Sequence, residues 1–214
     1  MDSTFVILLV IFIIVSDAIV LFVIYRFRKK KKEQENLVED YINGHGYRYI
    51  AREDKTFQKE FSKTFSKLNP NFRWKNLSIK HIFMYSDSDN SENQTLFFEL
   101  EVTGRNYYRK YLCLLADSFT SELPEFAIIP KEPFGMLFSK GKDIFSRLYD
   151  VKPKQVIEML SQDLKDQIIR YSGITILYTK NKLLIAKEYK SKEGPLEALT
   201  TCEEIFDIVK MYNT

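Results

Sequence analysis

The feature that most constrains this chain is an apolar run of 21 residues, Phe5 to Tyr25. As a helix with a rise of about 1.5 Å per residue, the run is roughly 31 Å long, close to the hydrocarbon thickness of a bilayer. Backbone amides inside lipid find no water, so we expect the run to be helical despite its many β-branched residues. The sequence therefore predicts one N-terminal transmembrane helix at residues 5–25, after a short extracytoplasmic N-terminus at residues 1–4.

The charges that flank the run predict its orientation. Only Asp2 precedes it, whereas six basic residues follow it: Arg26, Arg28, Lys29, Lys30, Lys31 and Lys32. By the positive-inside bias, the N-terminus lies outside the cell (inner or plasma) membrane and the long C-terminal part is cytoplasmic. We expect the same six side chains to contact anionic lipid head groups. A cleaved signal peptide is disfavoured, because no basic residue precedes the run and no Ala-x-Ala site follows it.

Asp17 is an ionisable residue near the middle of the predicted span. A carboxylate at that depth costs roughly 3 kcal/mol on insertion scales. One interpretation is an intramembrane polar contact of Asp17 and the adjacent Ser16 with a partner helix or a second copy of the chain. The other is a protonated carboxyl that the apolar span tolerates.

The remainder of the chain is balanced in charge. Of the 32 basic and 29 acidic residues, six and two lie in residues 1–32, which leaves 26 and 27 for residues 33–214. A nucleic-acid-binding domain carries a basic surface of its own, so we expect no nucleic-acid partner. The 17 Phe and 13 Tyr residues supply apolar material for a packed core.

The hydrophobic pattern predicts an α+β fold behind the membrane helix. Residues 26–45 form a basic juxtamembrane stretch and helical stalk that ends at Gly44-His45-Gly46, and residues 46–214 form a cytoplasmic α+β domain. Apolar residues three and four apart predict flanking helices over Asp54–Leu68, Pro153–Arg170 and Leu196–Tyr212.

Alternating apolar residues predict an antiparallel meander of four strands with short connections. These strands are Leu77–Tyr85, Leu96–Val102, Tyr107–Ala116 and Phe126–Ile129. Leu96, Phe98, Leu100 and Val102 are expected on one face of the second strand. A hairpin of Ile174–Tyr178 and Leu183–Tyr189 is predicted before the terminal helix.

The segment Leu123–Glu132 (LPEFAIIPKE) places a short strand between two prolines, followed by a basic residue and a glutamate. Together with Phe145–Tyr149 (FSRLY), it resembles a loose group of uncharacterised bacterial proteins with a single-pass membrane anchor. The resemblance implies a small meander followed by a helix and a hairpin. It implies no activity.

The sequence predicts no catalytic, metal-binding or cofactor-binding residues. His45 and His81 are the two histidines, and neither has a Cys, Asp or Glu at the spacing of zinc ligands. Zincin, nucleophile-elbow and phosphate-loop motifs are absent from the sequence. The acidic segment Asp87–Glu92 lacks the glycine and downstream glutamate of an EF-hand, which favours a solvated loop. Cys113 and Cys202 are expected to fill buried apolar space in a reducing compartment.

Three hypotheses on function follow. The favoured one is a membrane-tethered, non-enzymatic interaction module, which binds through its sheet surface or the helix that carries Asp17. The second is a lipid- or small-molecule-binding domain at the membrane surface, and the third is an enzyme of unrecognised type.

Overall fold

The computed structural model describes residues 3–86, 94–105, 107–121, 123–132, 143–189 and 194–211. The chain separates into two compact units, Met1–Tyr41 and Ile42–Thr214. All the strands given below belong to the second unit.

Helix α1 runs without a break from Ser3 to Gly44. The predicted continuation of the helix and its end at Gly44-His45-Gly46 are therefore observed, whereas its role as a stalk stays a prediction. There the His45 N–H donates to the Ile42 carbonyl at 3.2 Å, and Gly46 takes a φ of +79°, which glycine adopts without strain. Among the described residues, no helix carries an apolar stretch of the length that a bilayer crossing requires.

The second unit mixes short helices with longer strands. Its described helices are α2 (Lys55–Phe65), α3 (Ile144–Leu148), α4 (Val156–Met159), α5 (Gln162–Tyr171) and α6 (Pro195–Met211), with 3₁₀ turns at Pro70–Phe72 and Trp74–Asn76. Its described strands are β1 (Arg48–Ala51), β2 (Leu77–Ser86), β3 (Gln94–Thr103), β4 (Tyr108–Ala116), β5 (Phe126–Pro130), β6 (Tyr149–Lys152), β7 (Ile174–Thr179) and β8 (Lys182–Glu188).

The described strands form one eight-stranded sheet in the order β1-β2-β3-β4-β8-β7-β5-β6, and their pairings are antiparallel. The α+β class and the meander of β2, β3 and β4 are confirmed. The prediction that Phe126–Ile129 continues this meander is wrong, because β5 pairs with β6 and β7. The hairpin of β7 and β8 is almost wholly buried and takes the central position beside β4, which leaves the short, proline-flanked β5 nearer the edge.

The predicted alternation along β3 is confirmed. Phe98, Leu100 and Val102 belong to a buried cluster on one face of the sheet. Phe97 and the two glutamates of β3, Glu99 and Glu101, have the opposite parity and therefore lie on the other face.

The predicted C-terminal hairpin is confirmed, with a two-residue turn at Lys180 and Asn181. Both residues have positive φ, 50° and 60°, as a type I′ turn requires. The Glu125 carboxylate accepts hydrogen bonds from the Thr179 hydroxyl and the Lys180 N–H, which fixes the turn to the residue before β5.

The prediction of one helix over Pro153–Arg170 is wrong. Four of the six apolar side chains of the predicted stripe are buried, including Val156 and Leu160, but Ser161 has an extended backbone and divides the segment into α4 and α5. Its hydroxyl accepts the Leu164 N–H at 3.1 Å and so caps α5. A serine that caps a helix competes with continuation of the preceding one, and apolar periodicity does not reveal this.

Helices cover both faces of the sheet. On the first face, Phe61 of α2 lies 5.5 Å from the rings of both Phe72 and Phe98, within a cluster that extends to β7 and β8. On the second face, α6 packs against β4 and β8. The buried side chains of this helix include Ala198, Leu199, Cys202, Ile205 and Val209.

The N-cap of α2 gives a test of this architecture. The Asp54 carboxylate accepts the N–H groups of Thr56 at 2.8 Å and Phe57 at 3.0 Å. Asp54→Ala removes both bonds from the helix that carries Phe61, so we expect a loss of about 1 kcal/mol in the free energy of unfolding. Chemical denaturation of the full-length protein in detergent measures this loss.

The matched control is Glu53→Ala. It removes the same charge from the adjacent, exposed position, and we expect little change. Equal denaturation midpoints for the two variants would show that the cap does not stabilise α2.

Candidate functional site

A cleft of about 630 Å³ lies in the second unit, lined by α6, the ends of β2, β3 and β4, and the segments that flank these elements. This volume falls in the range of small-molecule sites in proteins.

One wall of the cleft is a single face of α6. Glu203, Phe206, Asp207 and Lys210 line the cleft. Their spacing of three and four residues places them on the same side of the helix. The buried side chains of α6 lie on the remaining face, so the sequence of this helix provides both a core stripe and a cleft wall.

The floor of the cleft comes from the sheet. Thr95 of β3 pairs with Ala116 of β4, and Leu114 lies two residues before Ala116 on the same face of that strand. Both β4 side chains are buried. The floor is therefore small and largely apolar.

Four half-buried aromatic residues line the cleft in two pairs. The ring centroids of Tyr47 and Tyr85 are 5.2 Å apart, and those of Phe119 and Phe206 are 6.3 Å apart. Tyr47 also makes an edge contact with buried Phe97 at 4.8 Å. These contacts restrict the rings to defined positions on the lining.

The turn after β4 completes the lining and is firmly attached. The Phe119 N–H donates to the Asn181 carbonyl at 2.8 Å, and Asp117 forms an ion pair with Lys182. Ser118 has a φ of 61°, a conformation that is uncommon for a residue other than glycine. Such backbone conformations persist where surrounding contacts fix them.

Carboxylates outnumber lysines on the lining. Asp117, Glu203 and Asp207 line the cleft together with Lys210. The half-buried Glu203 accepts a hydrogen bond from the Tyr47 hydroxyl at 3.3 Å, whereas Asp207 is exposed.

A second group of charged residues lies on the sheet and has a structural role. Lys80 contacts Glu101 at 2.8 Å, and Lys110 contacts Glu99 at 2.9 Å and Glu101 at 3.1 Å. The Tyr189 hydroxyl donates to Glu99 at 2.9 Å. These cross-strand contacts join β2, β3, β4 and the end of β8.

The pKa values in this group reflect its ion pairs. Partial burial raises the pKa of Glu101, but hydrogen bonds from Lys80, Tyr108 and Lys110 outweigh this effect and lower it to about 2. Desolvation lowers the pKa of Lys110, but its bonds to the two glutamates raise it above the ordinary value. Both groups therefore stay charged at neutral pH, as structural ion pairs do.

Three further reactive side chains are held in structural roles. Burial raises the pKa of the Cys113 thiol well above its ordinary value, and burial raises that of Cys202 to about 12, so neither is a thiolate at neutral pH. The ammonium group of buried Lys187 donates to the carbonyls of Tyr171 and Ser172 at 2.8 Å each, where it caps the C-terminus of α5.

The charged residues of the Leu123–Glu132 segment also connect elements. Lys131 donates to the Ser146 carbonyl of α3, and Glu132 forms an ion pair with Arg109 of β4. Glu125 contacts the turn of the β7–β8 hairpin, as described above.

The residues predicted to contact the membrane, which are Ser16, Asp17 and the six basic residues between Arg26 and Lys32, all lie on α1. They are not among the residues that line the cleft. Ser16 donates to the Ile13 carbonyl at 2.9 Å within its own helix, and the adjacent Asp17 is exposed. A partner for Asp17 therefore stays a prediction.

The basic residues after the apolar run are exposed where described. The Arg26 guanidinium lies 5.9 Å from the Phe22 ring centroid, and Lys29 lies 4.0 Å from Glu33. Arg28 and Lys32 are exposed. The side chains of Lys30 and Lys31 lie outside the described residues.

Within the described part of the chain, no group of three or more His, Cys, Asp and Glu residues is arranged to hold a metal ion. The acidic segment Asp87–Glu92 lies outside the described residues.

No protein-family model, curated protein or solved structure matches this chain. The resemblance of Leu123–Glu132 to membrane-anchored proteins therefore stays a prediction.

Sequence reasoning missed the cleft. The apolar periodicity of the terminal helix was visible, but no signal in the sequence marked its polar residues at 203, 207 and 210 as part of a cleft wall. The lining unites residues 45–47, 85, 95, 114–120 and 203–210. Their proximity depends on the strand order and the docking of α6, which sequence spacing did not provide.

The Glu101 ion pairs predict a defined pH dependence of stability. The folded-state pKa of about 2 lies below the ordinary value of 4.5. The ionised carboxylate therefore stabilises the fold above pH 4.5, and this contribution is lost as the pH falls toward 2. We expect Glu101→Gln to cost about 2 kcal/mol at pH 7, after allowance for solvent screening, and to flatten the stability profile between pH 4.5 and 2.

Urea denaturation over this pH range measures the effect, with Glu158→Gln, at an exposed position on α4, as the control. A Glu101→Gln profile parallel to that of the control would refute the assigned role.

Proposed function

We propose that this chain is a single-pass membrane protein whose cytoplasmic domain is a non-enzymatic binding module, with the cleft as its binding site. The observation that carries the proposal is that one chain combines an apolar run with a basic collar at Arg26–Lys32 and a concave, aromatic and acidic cleft.

The exposure of apolar side chains on α1 supports the membrane part of the proposal. A helix that is apolar on all sides needs lipid or protein around it. From Phe12 to Phe27, large apolar side chains are exposed around the whole helix; the most exposed include Phe12, Ile14, Leu21, Phe22, Tyr25 and Phe27.

The collar supports the proposed orientation. Its described side chains are exposed and can reach lipid head groups on the cytoplasmic side. The N-terminus then lies outside and the second unit lies in the cytoplasm.

The cleft favours binding of a small ligand over docking on a flat sheet surface. Helices cover both faces of the sheet, and the aromatic side chains of Phe97 on β3 and Tyr111 on β4 are buried. Outside the cleft, the charged group of Glu99, Glu101, Lys80 and Lys110 is held in ion pairs and the two thiols are buried, which supports a binding role for the cleft itself.

Replacement of all six collar residues by Gln tests the membrane topology. We expect the natural chain to resist carbonate extraction from membranes of its own cells, and a C-terminal tag to resist protease added outside intact cells. Because the collar sets orientation, its replacement is expected to expose the tag in a substantial fraction of molecules.

The matched control replaces six exposed lysines elsewhere by Gln: Lys55, Lys59, Lys63, Lys67, Lys75 and Lys154. It is expected to leave the tag protected. Release of the natural chain by carbonate, or digestion of its tag in intact cells, would overturn the proposed arrangement.

Asp17 tests the second mode of interaction, through the membrane helix. A carboxyl within lipid is stabilised by a hydrogen-bonding partner on another helix. We expect Asp17→Leu to keep membrane insertion and to reduce crosslinking to a second copy or a partner several-fold, as measured by crosslinking in native membranes.

Ala18→Leu, a change of size at the neighbouring position, serves as the control and is expected to have a smaller effect. Identical crosslinking in the Asp17→Leu variant and the natural chain would contradict a contact through Asp17. It would favour the alternative, a protonated carboxyl that the apolar span tolerates.

A further inference from the structure

We propose that the cleft binds the ammonium group of its ligand. This inference rests on the proposed function, because it names the ligand chemistry of the same site.

The aromatic lining is the first argument. Tyr47, Tyr85, Phe119 and Phe206 are all half-buried, so each ring is partly covered by protein and partly accessible. The face of an aromatic ring carries partial negative charge and attracts a cation within about 6 Å of its centre. Several rings around one cavity are a common way to bind quaternary ammonium groups.

The carboxylates are the second argument. Glu203 and Asp207 lie one helical turn apart on the same wall as Phe206. They provide negative charge beside the rings; Glu203 also accepts a hydrogen bond from Tyr47, and Asp117 forms an ion pair with Lys182. An anionic ligand would meet repulsion from both α6 carboxylates.

Lys210 is the cationic lysine on this wall, and it is exposed. Its flexible stem allows the ammonium head to extend into solvent. Its positive charge nevertheless repels a cationic ligand, so removal of this charge should strengthen binding of an ammonium ion.

The lining is held in place before any ligand arrives. Tyr47 donates to Glu203 and contacts Phe97, and the backbone of Phe119 is bonded to the hairpin turn at Asn181. A preformed lining reduces the ordering cost of binding.

The ammonium group can belong to a free small molecule or to a lipid head group. Choline is a suitable probe because it is a quaternary ammonium ion, and 3,3-dimethylbutan-1-ol is its uncharged isostere. The full-length chain in phosphatidylglycerol nanodiscs, which contain no ammonium lipid, is titrated with both compounds by calorimetry. We expect choline to bind about tenfold more tightly than the isostere.

Three variants separate the cleft from nonspecific attraction to the anionic bilayer. Asp207→Asn is expected to weaken choline binding about fivefold to tenfold, because it removes a carboxylate from the wall. Lys210→Met is expected to strengthen it several-fold, because it removes a like charge. Glu204→Gln removes a charge from the same helix outside the lining and is expected to leave choline binding unchanged.

Equal affinity for choline and its isostere, or the same affinity in the Asp207→Asn and Glu204→Gln variants, would overturn the ammonium proposal. The gain in Lys210→Met cannot come from unfolding, so its absence also counts against the proposal. If the chain still resists carbonate extraction and binds a different ligand in the cleft, the binding module stands and only the ligand class is wrong.

A second titration identifies the source of the ammonium group. In phosphatidylcholine nanodiscs, a higher apparent Kd for free choline shows that the lipid head group competes for the cleft. An unchanged Kd shows that the cleft takes a free ammonium ligand. Either result is interpreted only after the first titration has shown that choline binds and that Asp207→Asn weakens this binding.

Discussion

The antiparallel pairing of β4 with β8 is the interaction on which the rest of the domain depends. It aligns Tyr111–Ala116 with Leu183–Glu188 and joins the β1–β4 half of the sheet to the half formed by β5–β8. Without it, the meander and the hairpin would be separate small sheets, each with an exposed apolar edge. The paired residues are almost all buried, and the cost of closing a loop of about 70 residues is offset by this burial.

The same pairing gives α6 its position. The helix packs over β4 and β8, where Cys202 lies 3.4 Å from the Leu112 carbonyl. A straight helix covers only part of a wide sheet, so space remains beside it above Thr95 and Ala116. Tyr47 and Tyr85 occupy one side of this space and the α6 side chains the other. The cleft therefore lies where α6, docked over β4 and β8, leaves the ends of β2, β3 and β4 uncovered.

Much of the fold was predictable from sequence because its signals are local. The strict alternation of β3, the apolar hairpin of β7 and β8, and the Phe57, Phe61 and Phe65 stripe of α2 each identify an element and its buried face. The strands β1 and β6 have four residues each, too few for a periodic pattern to show. The position of β5 was missed because it depends on which strand pairs beside β4, and the β7–β8 hairpin takes that position. The break at Ser161 was missed because it depends on whether the serine continues one helix or caps the next. The cleft was missed for a related reason. Glu203 and Asp207 form part of a binding site only because the fold places Tyr47 and Tyr85 on the same lining.

The burial of the two thiols has a practical consequence. Cys113 lies on the central strand β4 and Cys202 on α6, and both are inaccessible in the folded domain. An alkylating reagent can modify them only when the sheet or the helix transiently opens. The natural sequence thus contains two probes of local opening in the native state, Cys113 in the sheet and Cys202 in the helix that covers it. Their relative labelling rates would reveal whether these layers separate together or in succession, without any engineered cysteine.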